Sequence, residues 1–395
     1  MMAKRFSIRF YITAVLIILL GVISLIYLYI GSEWVDFPGQ HQLCAYVLRG
    51  IDPYPYIGGT HIPEQARDVG IIPSGWGAVP WGLLLGNIFY FGFMDIKNAE
   101  MAFLIVNILI LSAVVFFIRK KAAKIYSNRE FIYLSMLLAA ASPDYFIPLF
   151  GNAGGIICCM LILVWILCDE RPVLAGILLG FAMVKPQVAL IICLGFMLQK
   201  RFMPVIIAAV IDIAAWLCVS IMTKTNMLML LKEFLMSGTG GSYRYSGIMT
   251  PFISNNTAAL IASMLIGIIF VLLMQYLFSN NLNEEYHSFS LIFAYIASNF
   301  WCYRFNSDNY VLLVPSLICL YIATSSKKLY EYILWFCAVF YCNYGLYVKS
   351  SAIWGRISGF KFSDTDKHLV MTIYALGLML VSVIIYTHLR KLQKE

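Results

Sequence analysis

Apolar runs of about twenty residues recur along this chain from Tyr11 to Thr387, and no stretch between them is long enough for a soluble domain. At about 1.5 Å of rise per helical residue, each run matches the roughly 30 Å hydrocarbon core of a bilayer. Backbone in hydrocarbon must satisfy its own hydrogen bonds, so the runs are expected to be helices and the chain an all-α polytopic membrane protein. Hydrophobic residues make up 61% of it and charged residues 12%, and the mean hydropathy is +0.82. These values exclude a cytosolic enzyme, a secreted disulfide scaffold and a disordered regulator. The formal charge of +8 sits in short basic clusters between the apolar runs, as topology determinants do, so nucleic acid is not an expected partner. The ten cysteines, all but Cys44 in or beside apolar segments, show no zinc-site spacing and are expected as small packing residues.

Basic residues inside fix the topology. Lys4, Arg5 and Arg9 precede the first run, 10–31, which makes it an uncleaved anchor with a cytoplasmic amino terminus. Keeping the clusters at Arg119–Arg129, Lys200-Arg201, Lys327-Lys328 and Arg390–Lys394 cytoplasmic gives helices near 98–118, 131–149, 153–168, 203–222, 257–278, 287–303, 309–325, 329–347 and 368–388. Two stretches resist a simple crossing. If 76–94 and 98–118 both spanned, the Arg119 cluster would lie outside, so 76–94, broken by Pro80 and several glycines, is expected to be interfacial or partly embedded. In 172–198, both charged ends require the cytoplasm, and each arm flanking Lys185-Pro186 is only about 20 Å of helix. A pair of short helices bent at Lys185-Pro186-Gln187, with its apex in the outer half of the bilayer, satisfies both ends. The expectation is one membrane domain over 1–395, with about twelve membrane helices, both termini cytoplasmic and a long first extracytoplasmic loop, 32–97, containing interfacial helices. Further outer segments are a short turn near 144–155, a loop at 223–256, a turn at 304–308 and a loop at 348–367. Of the 28 Lys and Arg residues, 16 then lie in short inner loops and 12 in much longer outer ones.

Several residues could carry chemistry. Asp36, one turn beyond the first helix, is a candidate general base where water and headgroups meet; the competing reading is a solvated interfacial acid. In Arg49-Gly50-Ile51-Asp52-Pro53-Tyr54, Gly50 lets a helix stop, Asp-Pro sets a turn, and Arg49 is either an anion partner or an interface anchor. Lys185 lies between two apolar arms, where an ammonium is costly unless it meets a partner such as a phosphate or snorkels to the interface. Gly176 and Gly180, four apart, would let its helix pack closely on a neighbour. Arg304 sits in a tight outer turn, where it either clamps a phosphate, with Asp308 or Asn309 on a sugar, or pairs with Asp308. Arg244, in a glycine-flanked loop, reads as part of a lid or as a mobile polar loop. Asp144 either joins Asp36 or begins a turn, and Asp364 and Asp366 are better explained as a helix cap than as metal ligands. The five histidines, the absence of Gly-x-Ser-x-Gly and the absence of a Walker sequence remove support for hydrolase and ATPase readings.

In order along the chain, Asp36, Leu48–Tyr54, Pro73, Pro80, Leu149-Phe150-Gly151-Asn152-Ala153-Gly154-Gly155 and Leu174–Gln187 resemble the polyprenol-phosphate-dependent membrane glycosyltransferases of the C type, most closely glycosyltransferase family 87. The second half is similar in helix number and in Asp308-Asn309-Tyr310 to Pro315, without the histidine the family often has there. The resemblance implies the C-type fold and a metal-independent, inverting transfer of a hexosyl or pentosyl group. The donor is a polyprenyl-phosphate sugar acting as co-substrate, with no cofactor; the acceptor is a glycan or lipid-linked hydroxyl. Asp36 is implied as the base, Lys185, Arg304, Arg244 and Arg49 as donor-phosphate ligands, and Asp52, Tyr54, Asn152, Gln187, Asp308 and Asn309 as substrate contacts. It further implies a bacterial plasma (inner) membrane location among membrane lipids, an extracytoplasmic site and a part in cell-envelope polysaccharide synthesis.

Two other classes remain open. A glycan polymerase or ligase using polyprenyl-linked oligosaccharide would share the outer-face chemistry, but usually carries its largest outer loop later in the chain. A lipid or sugar transporter would be expected to show repeated halves or broken helices in matched positions, and neither is present in the sequence.

Overall fold

The computed structural model of the chain describes residues 36–73, 78–125, 153–240, 248–283 and 364–394, with single positions at Ile8, Tyr11, Val15, Leu19, Leu291, Ala294 and Tyr295. Among the described residues every regular element is a helix. In chain order these are α1 (Asp36–Leu48), α2 (Pro80–Leu85), α3 (Asn87–Tyr90), α4 (Ile96–Ile125), α5 (Gly154–Leu167), α6 (Pro172–Ala182), α7 (Pro186–Leu198), α8 (Phe202–Thr223), α9 (Met227–Gly240), α10 (Asn256–Asn281) and α11 (Asp364–Leu392), with 3-10 turns at Tyr54–Tyr56 and Glu64–Ala66. Two of them, Phe202–Thr223 and Ala258–Asn281, are long and apolar enough to cross a membrane. The expected helices at 131–149, 309–325 and 329–347, and nearly all of 10–31 and 287–303, lie outside the described residues.

The chain divides into two compact units, Ser32–Ser112 with Ile147–Arg244, and Met1–Gly31 with Ala113–Phe146 and Tyr245–Glu395. In the first, α1 ends where Gly50 takes φ +74° and its N–H meets the Val47 carbonyl at 2.9 Å. A side chain there would be strained, and its Cβ would stand 3.1 Å from the Met222 carbonyl at the end of α8. Leu43, Tyr46 and Val47 of α1 form one core with Tyr54, Ala66, Ile72, Ala78, Leu83, Val219 of α8 and Leu230 of α9. Burying so much apolar surface between the first loop and α8 ties the loop down as ordered structure.

The stretch 76–94 contains two short helices, α2 of six residues and α3 of four. The backbone reverses after α3, at Phe91 with φ 48°. Six helical residues rise only about 9 Å, so neither helix spans a bilayer. Pro80 at the first position of α2 starts it, and α2 packs against α8.

α6 and α7 are the expected bent pair. Proline opens each at its first position, and Lys185 caps α7 with φ −115° and ψ 77°, outside helical values. Asp169, in the turn before α6, pairs with Arg201, in the turn after α7, at 2.9 Å, which holds the feet of the pair together. From there α6 rises about 16 Å and α7 about 20 Å, whereas the 22 residues of α8 rise about 33 Å. The Lys185 apex therefore stops partway along α8. Gly176 and Gly180 lie on that seam: a Cβ on Gly176 would come within 2.6 Å of Ile207 Cβ, and one on Gly180 within 3.2 Å of Ile211.

One expectation needs correction. The outer segment 223–256 was read as a loop, yet Met227–Gly240 forms the 14-residue helix α9, with Leu230 in the core of the first loop. In the second unit, Asn255 caps α10 by accepting the Ala258 N–H at 3.0 Å, α10 packs against α11 through Phe278 and Tyr386 with ring centroids 5.3 Å apart, and Thr372 of α11 donates to the Ile248 carbonyl at 3.0 Å.

Candidate active site

Lys185 is half-buried at the turn between α6 and α7. Its N–H bonds the Ala182 carbonyl at 3.1 Å, and Pro186, which has no N–H, forces the helix to break there. Over this turn lies α2. Trp81 Nε1–H donates to the Met183 carbonyl at 2.9 Å, the Trp81 ring rests on Trp216 of α8 with centroids 6.0 Å apart, and a Cβ on Gly82 would lie 3.6 Å from Val184 Cα. The lysine thus stands on a turn that α2 covers, and α2 itself rests on α8. Gln187 is the second residue of α7.

Asp36 is the first residue of α1. The next residue, Phe37, is fully buried against Tyr90 and Phe103, at centroid distances of 5.7 and 5.3 Å. Tyr90 in turn accepts the Ala153 N–H on its hydroxyl at 3.0 Å. The start of α1 and the start of α5 are thereby brought to one place. α5 rises about 20 Å toward Asp169 and α6 about 16 Å from there toward Lys185, and the two helices pack against each other. His41, one turn along α1, is buried with its Nε2 on the Met94 carbonyl at 3.1 Å. Burial lowers its pKa, leaving a neutral ring at pH 7.

The segment after α1 is internally bonded. Asp52 Oδ1 accepts the Tyr54 N–H at 3.1 Å. Tyr54 is 5% exposed, and its hydroxyl donates to the Ala78 carbonyl at 2.6 Å. Arg49 reaches Asp68 at 2.5 Å and the Ala45 carbonyl at 3.2 Å. Of the residues expected at the site, Arg49 and Tyr54 thus have partners within the first loop itself. Asp52 also acts on Glu233 of α9, whose carboxyl is pushed up to about 7 by burial and by the neighbouring Asp52.

Asn152, Arg244, Arg304, Asp308, Asn309 and Asp144 lie outside the described residues. Three residues that matter here were passed over in the sequence. Trp81, one of eight tryptophans, and Glu233, in a segment expected as a loop, carry no mark in the sequence that singles them out. Asp212, in the middle of α8, is 7% exposed, and its signal was available: a carboxylate inside an apolar run is rare enough to mark a position.

A family model described as glycosyltransferase family 87 matches residues 80–323, more than half of the chain. The matched stretch takes in α2, residues 151–155, Lys185 and 304–309, and begins after Asp36 and the Arg49–Tyr54 segment. No curated protein matches the chain.

Proposed function

Because the chain belongs to glycosyltransferase family 87 and is a membrane glycosyltransferase, we propose that it moves a monosaccharide from a polyprenyl-phosphate donor to a hydroxyl of a glycan or lipid-linked acceptor. The transfer takes place at the extracytoplasmic face, inverts the anomeric carbon and needs no metal. The acceptor oxygen bonds to the anomeric carbon as the carbon–oxygen bond to phosphate breaks. The electron pair of that bond leaves on the phosphate oxygen, releasing polyprenyl monophosphate. The hydroxyl proton passes to the Asp36 carboxylate. Inversion requires base and leaving group on opposite faces of the sugar, which suits two groups carried by different elements, Asp36 on α1 and Lys185 between α6 and α7. Negative charge grows on the departing phosphate, so a fixed cation there acts mainly on the transition state; Lys185 supplies it, with Arg304 and Arg244 as further donors. In this reading, Gln187, Asn152, Asp308 and Asn309 contact the sugar, and the remainder of an approximately twelve-helix bundle with both termini cytoplasmic surrounds the lipid.

The observation that carries the reading is the placement of Lys185 at a half-buried, tightly held turn between two apolar arms. From such a place an ammonium can meet a lipid phosphate at the depth where the donor headgroup lies. The test uses membranes supplied with labelled polyprenyl-phosphate sugars. Asp36→Asn is expected to abolish transfer while donor binding persists, and Lys185→Ala to weaken donor binding. Full activity in the first variant or unchanged donor affinity in the second would remove the corresponding role.

A further inference from the structure

We propose that Trp81 is a positioning residue for Lys185, and that the Asp52-Pro53-Tyr54 segment acts on donor binding through it; this rests on the assignment of Lys185 to the donor phosphate. The end of a helix leaves backbone carbonyls without intrahelical partners. Met183, at the end of α6, is such a residue, because the chain turns at Lys185 and continues with Pro186. Its carbonyl accepts from the indole of Trp81, 102 residues away in sequence. An indole N–H can only donate, so this contact has one sense and one geometry.

The other side of α2 is anchored just as specifically. Asp52 holds the Tyr54 N–H, the buried Tyr54 hydroxyl holds the Ala78 carbonyl, and Ala78 lies two residues before Pro80, where α2 starts. A continuous set of bonded groups therefore runs from the turn after α1, through the start of α2, to the carbonyl two residues before Lys185. The Trp216 ring beneath Trp81 and the close passage of Gly82 over Val184 leave α2 little freedom to slide. If the indole donor is lost, the Met183 carbonyl is left unpaired, the turn loosens, and the ammonium is no longer held where a phosphate meets it.

The test measures binding of farnesyl phosphate, a short polyprenyl phosphate without sugar, to the purified full chain in detergent. Trp81→Phe keeps an aromatic ring on Trp216 and removes the donor; it is expected to raise Kd about three- to tenfold, the range set by one hydrogen bond. Lys185→Ala is expected to raise Kd by about tenfold or more. The double variant should be no weaker than Lys185→Ala alone, because a residue acting through the lysine has nothing left to act on. Tyr54→Phe, at the far end of the set, should show the same dependence on Lys185 with a smaller change, and stands in if Trp81→Phe does not fold. A merely structural Trp81 would reduce the folded fraction and leave the Kd of the folded protein unchanged, which overturns the proposal. So does a Trp81→Phe effect that adds in full to that of Lys185→Ala. If Lys185→Ala itself leaves Kd unchanged, the donor-phosphate assignment fails, and the role of Trp81 fails with it.

Discussion

Glu233 of α9 and Asp52 of the turn after α1 act on each other through their carboxyl groups, Asp52 raising the proton affinity of Glu233. Two ionised carboxylates repel, so the pair favours holding one proton. The ring of Phe234, the next residue, lies 6.3 Å from that of Tyr54, and Leu230 one turn back is fully buried. α9 is thus latched to the first loop by an apolar stripe, beside a carboxyl pair that favours one proton.

That proton makes the latch sensitive to pH. Burial first, then Asp52, raise Glu233 from 4.5 to about 7, with Lys232 opposing them. The folded state therefore holds the proton more tightly than the unfolded chain, and the contribution is complete below about pH 4.5 and lost as pH rises through about 7. The groups facing the pair are Tyr54, whose hydroxyl is committed to Ala78, and Lys232. The melting temperature of the purified protein is expected to fall across this window, and Glu233→Gln, which keeps a donor and does not titrate, should flatten that part of the profile. An unchanged slope in the variant would show that another group is responsible.

The close seam between α6 and α8 makes a graded prediction. At Gly176 an added methyl would meet Ile207 Cβ at 2.6 Å and the backbone carbonyl of Pro204 at 3.0 Å, whereas at Gly180 the nearest atoms belong to the Ile211 side chain at 3.2 Å. Backbone cannot rotate away, and a side chain partly can. Gly176→Ala should cost about 1–3 kcal/mol and Gly180→Ala clearly less, read from thermal unfolding in one detergent. Equal losses would mean that the helices separate as rigid bodies.

How far the sequence could be read follows from the same residues. The α6–α7 pair was legible because charge at both feet and Lys185-Pro186 in the middle allow few other solutions. Gly176 and Gly180 were legible for the same reason: spacing on one helix is a local property. The partner of Met183 was not, because a hydrogen bond to a backbone carbonyl leaves no mark on the residue type that accepts it. Nor was the pairing of Asp52 with Glu233, which depends on α9 being a helix. That helix is secured by burial of Leu230 in a core built from distant segments, which no local pattern within 223–256 announces.

Arg49 offers a clean separation of two roles. Its guanidinium is 30% exposed and its partner Asp68 is 68% exposed, so the pair is worth only about 0–1 kcal/mol. Asp68→Asn should change stability by less than about 1 kcal/mol. With Arg49 already committed to Asp68 and Ala45, Arg49→Ala is expected to leave the farnesyl phosphate Kd within about twofold, or about 0.4 kcal/mol. A larger loss of affinity would instead place this arginine on the donor phosphate.

Asp212 is buried in α8, and its Oδ1 has no hydrogen-bond partner among the described residues; the same holds for the indole nitrogen of Trp216 one turn later. An unsatisfied buried oxygen costs about 1–3 kcal/mol, and an apolar side chain of similar volume removes that cost. Asp212→Leu is therefore expected to raise the thermal stability of the purified chain by about that amount. A fall in stability would mean that the carboxyl is paired in the intact protein. A gain in stability accompanied by loss of transfer would mean that the carboxyl is retained for function at the expense of the fold, as ionisable groups inside membrane helices commonly are.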